Sequence, residues 1–221
     1  MVLAPNQTKF ERKHLLEMYM NALSETLSGI GFKKTSFDRY LRKTEEGSQA
    51  FTIVWRSRRE MGVLSVAVTP IVHSNFPAVQ KIAKLMGRDA DLPSLGGALG
   101  IFTPLKSMKE FWISSLESVD AAAIETRQDI SDWGTLFWKQ TESIESTFQN
   151  LSLINKGPSI ETEAAMRYLK QGIDAAIECV SYWPQKRVTA DEKAEMIQVL
   201  KGVNLVTQEQ VTQPKKSSQK A

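Results

Sequence analysis

Between Gly31 and Val72 apolar and polar residues alternate with a period of two, and no other stretch constrains the fold as strongly. Phe51, Ile53 and Trp55 alternate with Thr52, Val54 and Arg56, while Leu64, Val66 and Val68 alternate with Ser65, Ala67 and Thr69. Successive side chains of a β-strand point to opposite faces, so each run predicts a strand with one packed face and one smaller or more polar face. Turn-forming residues at Glu45-Glu46-Gly47-Ser48 and around Glu60-Met61-Gly62 divide the stretch into three segments. The expected unit is a three-stranded antiparallel meander. Its first strand is irregular, because Phe37, Tyr40 and Leu41 do not alternate cleanly. Pro70 cannot donate to a ladder, which puts the third strand at an edge at that point.

Helical spacing governs the rest. Leu15, Met18, Tyr19, Ala22, Leu23 and Leu27 form one stripe over residues 9–28, opened by a Thr8/Glu11 capping box and closed at Gly29. This stripe needs a partner, and the sheet that follows supplies one. A short helix is expected over 76–86, capped by Ser74 or Asn75 with Pro77 in its first turn. A long Gly-, Asp- and Pro-containing loop covers 88–100, and Ile101-Phe102 and Phe111-Trp112-Ile113 are candidates for one or two further strands. Residues 119–151 return to helix, divided at Gly134 or within 139–143.

The Asn155-Lys156-Gly157-Pro158 cluster marks the clearest boundary. Beyond it, Ser159 caps a helix running from Ile160 to Trp183, and a Thr189/Glu192 capping box opens a second from Ala190 to Lys201. The expected class is α+β. Residues 1–155 form an antiparallel sheet with helices on one face, 156–206 a helical hairpin packed on it, and 207–221 a disordered Lys-rich tail.

One cysteine, Cys179, excludes an internal disulfide and argues against structural zinc. No apolar run reaches the roughly 20 residues that span a bilayer, and the N-terminal residues lack the basic-then-apolar order of a signal peptide. A reducing cytoplasm is the expected location, with no membrane partner.

An amphipathic helix leads into Gly31-Phe32-Lys33-Lys34, an aromatic-containing strand, a charged turn and the strand Phe51-Thr52-Ile53-Val54. A further strand and the Phe111-Trp112 segment then precede an acidic helix. Over about residues 10–150 this order resembles a family of bacterial proteins catalogued as a domain of unknown function. The resemblance implies an α+β fold and brings no catalytic residues with it.

His73 is the most interesting single residue, since it follows a strand, precedes a helix and belongs to the type that titrates near neutrality. The other histidine, His14, lies on the first helix, and no metal-ligand spacing links the two. Asp89 and Asp91 fall in the long loop, where paired acids can bind Mg²⁺ or do acid–base work but more often serve turn chemistry and solubility. Gly96-Gly97-x-x-Gly100 precedes a candidate strand and lacks Gly-Lys-Ser/Thr, so it is not a phosphate loop. Cys179 sits beside an apolar stripe and reads as an inert thiol. No Gly-x-Ser-x-Gly elbow occurs, and no cofactor is expected.

Charge is more informative than any motif. From Lys33 to Arg59 there are eight basic and three acidic residues, a net +5; from 117 to 150 there are seven acids and two bases, a net −5. Such segments either face water and each other or dock a charged partner. The sequence favours a bacterial interaction component of adaptor, immunity or antitoxin-like type, with an unidentified protein partner. The alternative is nucleic-acid or phosphate binding along the basic strands, with Trp55, Tyr40 and Phe37 stacking between arginines. The candidate binding set is Arg39, Arg42, Arg56, Arg58, Arg59, Trp55 and His73. An enzyme using His73 with the 88–100 loop is the least supported reading.

Overall fold

The alternating segments become the sheet on which the rest is placed. The computed structural model describes residues 5–60, 63–89, 92–151, 158–184 and 188–212. In chain order these are α1 (Pro5–Ala22), α2 (Ser24–Gly29), β1 (Lys33–Ser36), β2 (Arg39–Lys43), β3 (Ser48–Glu60), β4 (Val63–Asn75), α3 (Pro77–Leu85), β5 (Leu95–Ala98) and β6 (Phe111–Ile113). Then follow α4 (Leu116–Asp129), a π-helical turn (Ile130–Gly134), α5 (Thr135–Gln140), α6 (Ile144–Gln149), α7 (Ile160–Gln171), α8 (Ile173–Tyr182) and α9 (Ala190–Thr212). The fold is α+β, with one antiparallel six-stranded sheet. None of the described helices is long and apolar enough to cross a membrane.

The long hairpin β3–β4 is the frame, in unbroken register from Ser48↔Asn75 to Glu60↔Val63. The irregular first segment resolves into two strands, because Phe37-Asp38 makes a turn and Ser36 pairs back on Arg39. Across β4 the order is β1-β2-β3-β4, and the far edge of β4 is shared by two short strands. β6 pairs with Val66–Val68 and β5 with Ile71–Ser74. Pro70 falls in the gap between them. The Ile53 N–H donates to Asp38 O, on the β2 side, so Ile53 and Pro70 form a pair without mutual hydrogen bonds. The ring nitrogen of Pro70 therefore faces the gap, where a missing donor costs no ladder bond.

Chain contacts group the residues into two compact units: 1–76 with 93–157, and 77–92 with 158–221. In the first unit the core lies on one sheet face. Phe51, Ile53, Leu64, Val66, Val68 and Val72 are buried there with Leu16, Tyr19, Met20, Leu23 and Leu27, and with Val119, Phe137 and Trp138. Leu15, expected in this core, is only half-buried, and Leu16 takes the deeper position. Tyr19 and Thr126 share a buried 2.7 Å hydroxyl–hydroxyl hydrogen bond that ties α1 to α4. The first helix starts earlier than expected, so Thr8 lies inside it and cannot act as its cap; it also breaks at Leu23.

Two further expectations change, and a third narrows to one of its alternatives. The 88–100 loop contains β5, while Ile101-Phe102 belongs to a 3-10 turn instead of a strand. Gly96 makes β5 possible: its φ is +155°, and a Cβ there would lie 2.4 Å from His73 Cβ. Helical backbone runs through Gly134 as the π turn, and the break falls at 141–143, where Ser143 caps α6.

The second unit is helical. α3 packs on α7, α7 on α8 and α8 on α9. Val79, Ile82, Ala83, Ala164, Ala165, Met166, Ala176, Val180, Met196 and Leu200 are its buried apolar residues, among others. α3, placed by the sequence reading within the α+β segment, groups here with the helices after Pro158. Ser159 caps α7 and Thr189/Glu192 form the capping box of α9, as their spacing indicates. The single helix expected over 160–183 is interrupted by Gly172, with φ +90° and ψ −177°. The last helix continues past Lys201 to Thr212, since no proline intervenes before Pro214. Disorder from residue 207 is thus corrected for 207–212, and 213–221 lie outside the described residues.

Candidate functional site

The parity of β3 sorts the basic residues onto two faces. Odd-numbered positions from Gln49 to Arg59 share the core face with Leu64, Val66, Val68 and Val72, their partners on β4. Even-numbered positions from Ala50 to Arg58 lie on the opposite, outer face. The seven candidate residues therefore do not form one site.

Three of them belong to the core side and are engaged within the fold. Arg42 donates from Nη1 to Ile30 O at 2.7 Å and from Nε and Nη2 to Gln49 Oε1, with its guanidinium 4.9 Å from the Phe32 ring centre. Gln49 is buried and donates onward to the Trp138 and Thr141 carbonyl oxygens. Burial lowers the Arg42 pKa from its usual value, and Glu142 acts in the opposite sense. Arg42 is a structural bolt. Arg59 pairs with Glu11 of α1 at 2.8 Å, and Trp55 lies under Arg12, 4.6 Å from ring centre to guanidinium.

Arg39, Arg56, Arg58 and His73 lie on the outer face by register. His73 is half-buried, pairs with Ala50 and Gly96, and has the Arg39 guanidinium in its electrostatic neighbourhood. Burial first and Arg39 second push its pKa down from 6.5 to about 4. The imidazole is therefore neutral at physiological pH, and His73 lies within β4 instead of following the strand.

Two kinds of residue on this face were missed. Lys33 and Lys43 sit on the outer side of β1 and β2, where with Thr35 and Leu41 they line a depression of about 390 Å³. The more telling one is Trp112. Arg56, Ala67 and Trp112 stand side by side on β3, β4 and β6. The small Ala67 between them leaves room for the indole. The Arg58 guanidinium carbon is 4.3 Å from the ring centre and that of Arg56 is 5.5 Å away. Arg56 also donates to Glu110 at 2.8 Å. Trp112 keeps 38% of its surface exposed and Val54, on the same face, 62%. The signal was present in the sequence: Phe111 and Ile113 are apolar neighbours one step either side of Trp112, so a strand there turns the indole outward.

Five cations thus share the outer face at paired strand positions: Lys33, Arg39, Lys43, Arg56 and Arg58. Strands β1–β4 carry a single acidic residue, Glu60, at the end of β3. Lys33, Arg39 and Lys43 have no ion-pair partner among the described residues. The acidic residues Glu117, Asp120, Glu125 and Asp129 belong to α4, whose Val119, Ala122 and Ala123 enter the core on the other side of the sheet. Glu125 and Asp129 pair with Lys109 at 2.6 and 2.7 Å, which leaves Glu117 and Asp120 as the acids of α4 without an ion-pair partner among the described residues.

The remaining candidates stay apart from this face. Asp89 belongs to the second unit, and Asp91 lies outside the described residues. Cys179 is half-buried on α8, where burial, with Glu163 nearby, pushes its thiol up to about 12. No group of three or more metal-ligating side chains occurs among the described residues. Comparison with protein-family models, with curated proteins and with solved structures found no match for this chain.

Proposed function

We propose that this protein is a non-enzymatic interaction component that docks an anionic partner on the outer face of its sheet. The observation that carries the reading is the parity of the strands: five cations share that face, and the acids of α4 lie beyond the sheet. Fields of one sign on one face steer a partner and fix its orientation, while adding modestly to affinity. The surroundings of His73 support a binding role over catalysis. Its strand neighbours are Ala50 and Gly96, and the charge nearest it is a guanidinium, which neither accepts its proton nor orients it as a base. An adaptor, immunity or antitoxin-like role in a bacterial cytoplasm fits such a surface.

The test is affinity capture from a native host lysate, with mass spectrometry of captured protein and sequencing of captured nucleic acid. A variant carrying Arg56→Glu and Arg58→Glu should lose the partner, whereas His73→Ala should retain it. Loss with His73→Ala in a folded protein, with the arginine reversal silent, would return the enzyme reading to first place.

A further inference from the structure

We infer that the partner on this face is single-stranded nucleic acid, with a base stacked against the Arg58–Trp112 pair and phosphates held by the surrounding cations. This rests on the docking role proposed for the outer face and goes further by naming the occupant.

Two observations favour that occupant over an acidic peptide. The first is the stack itself. A planar guanidinium already lies 4.3 Å from an indole that remains 38% exposed. Bases join flat aromatic or guanidinium surfaces of this kind, whereas carboxylates need only the charge. The second is reach. Lys33 on β1 and Trp112 on β6 are four strand spacings apart across the sheet, about 19 Å at ~4.8 Å each, and six residues apart along it, about 20 Å at ~3.3 Å each, a diagonal of about 28 Å. Arg39, Lys43, Arg56 and Arg58 occupy the strands between β1 and β4. A chain of phosphates fills such a spread, and one carboxylate cluster does not. Of the nucleic acids, only an unpaired strand has bases free to leave their neighbours and stack on side chains, which selects the single strand.

Within the cluster, Glu110 bonds Arg56 at 2.8 Å. This ion pair is exposed on the arginine side, so a phosphate can displace it. Removing it gives the inference a test of unusual sign.

Fluorescence anisotropy with a short labelled oligothymidylate measures the binding, and heparin serves as a polyanion without bases. Trp112→Leu should weaken oligothymidylate binding about tenfold, with Trp112→Phe recovering most of it. Heparin binding should be unchanged by either substitution. Glu110→Gln should tighten oligothymidylate binding. If Trp112→Leu leaves oligothymidylate and heparin binding alike, while capture of an acidic protein still depends on Arg56 and Arg58, the nucleic-acid inference fails and the docking face stands. If reversal of those arginines alters capture of nothing, both fail.

Discussion

Burial holds the imidazole of His73 neutral down to about pH 4, and the Arg39 guanidinium acts in the same sense. The unfolded chain takes up this proton at about 6.5, so the folded state binds fewer protons in the interval between. The resulting stability is fully present above pH 6.5 and is lost as the pH falls from there to about 4. The shift corresponds to about 3 kcal/mol at most. His73→Gln should flatten that part of the stability curve in denaturant titrations across the interval. An unchanged pH slope would place the imidazole in water. At this same scale Arg42 shows why a count of positive charge overstates a surface. The guanidinium is spent on Gln49, on the Ile30 carbonyl and on the Phe32 ring, all inside the fold.

The elements that were legible in the sequence are those whose period runs long. β3 and β4 are 13 residues each, long enough for alternation to declare itself over 51–56 and 64–69. β1 and β2 have 4 and 5 residues, too few for a period to declare itself, and their turn carries no glycine or proline. β5 hid in a glycine-rich stretch, because only the close approach of His73 explains why a strand needs Gly96. α3 read correctly as an amphipathic helix, but its stripe does not say which neighbour will cover it. Gly172 was passed over because one glycine within an apolar stripe is usually tolerated. Its backbone lies in a region nearly closed to other residues, so it separates α7 from α8. Gly172→Ala should cost about 1–3 kcal/mol of stability in chemical denaturation, although nothing lies within 4 Å to clash with the added methyl. A neutral result would mean that the junction relaxes into one continuous helix.

For the sheet-bearing unit as a whole, the distribution of charge matters more than its total. The net charge of +3 is modest, yet cations gather on the outer sheet face and acids on α4 beyond the core. The sequence disclosed opposed segments but not opposed faces, and it grouped Arg59 and Trp55 with Arg56 and Arg58. Strand parity separates them: Arg59 points toward α1 and bonds Glu11, while Arg58 lies over Trp112. That adjacency supplies the most direct test of a face-specific binding surface. Arg58→Glu and Arg59→Glu change the net charge by the same two units, one residue apart, on opposite sides of the sheet. On a heparin column Arg58→Glu should elute at clearly lower salt than Arg59→Glu, which should stay close to the unmodified protein. Equal elution of the two variants would show that total charge alone governs binding, and would contradict the docking face.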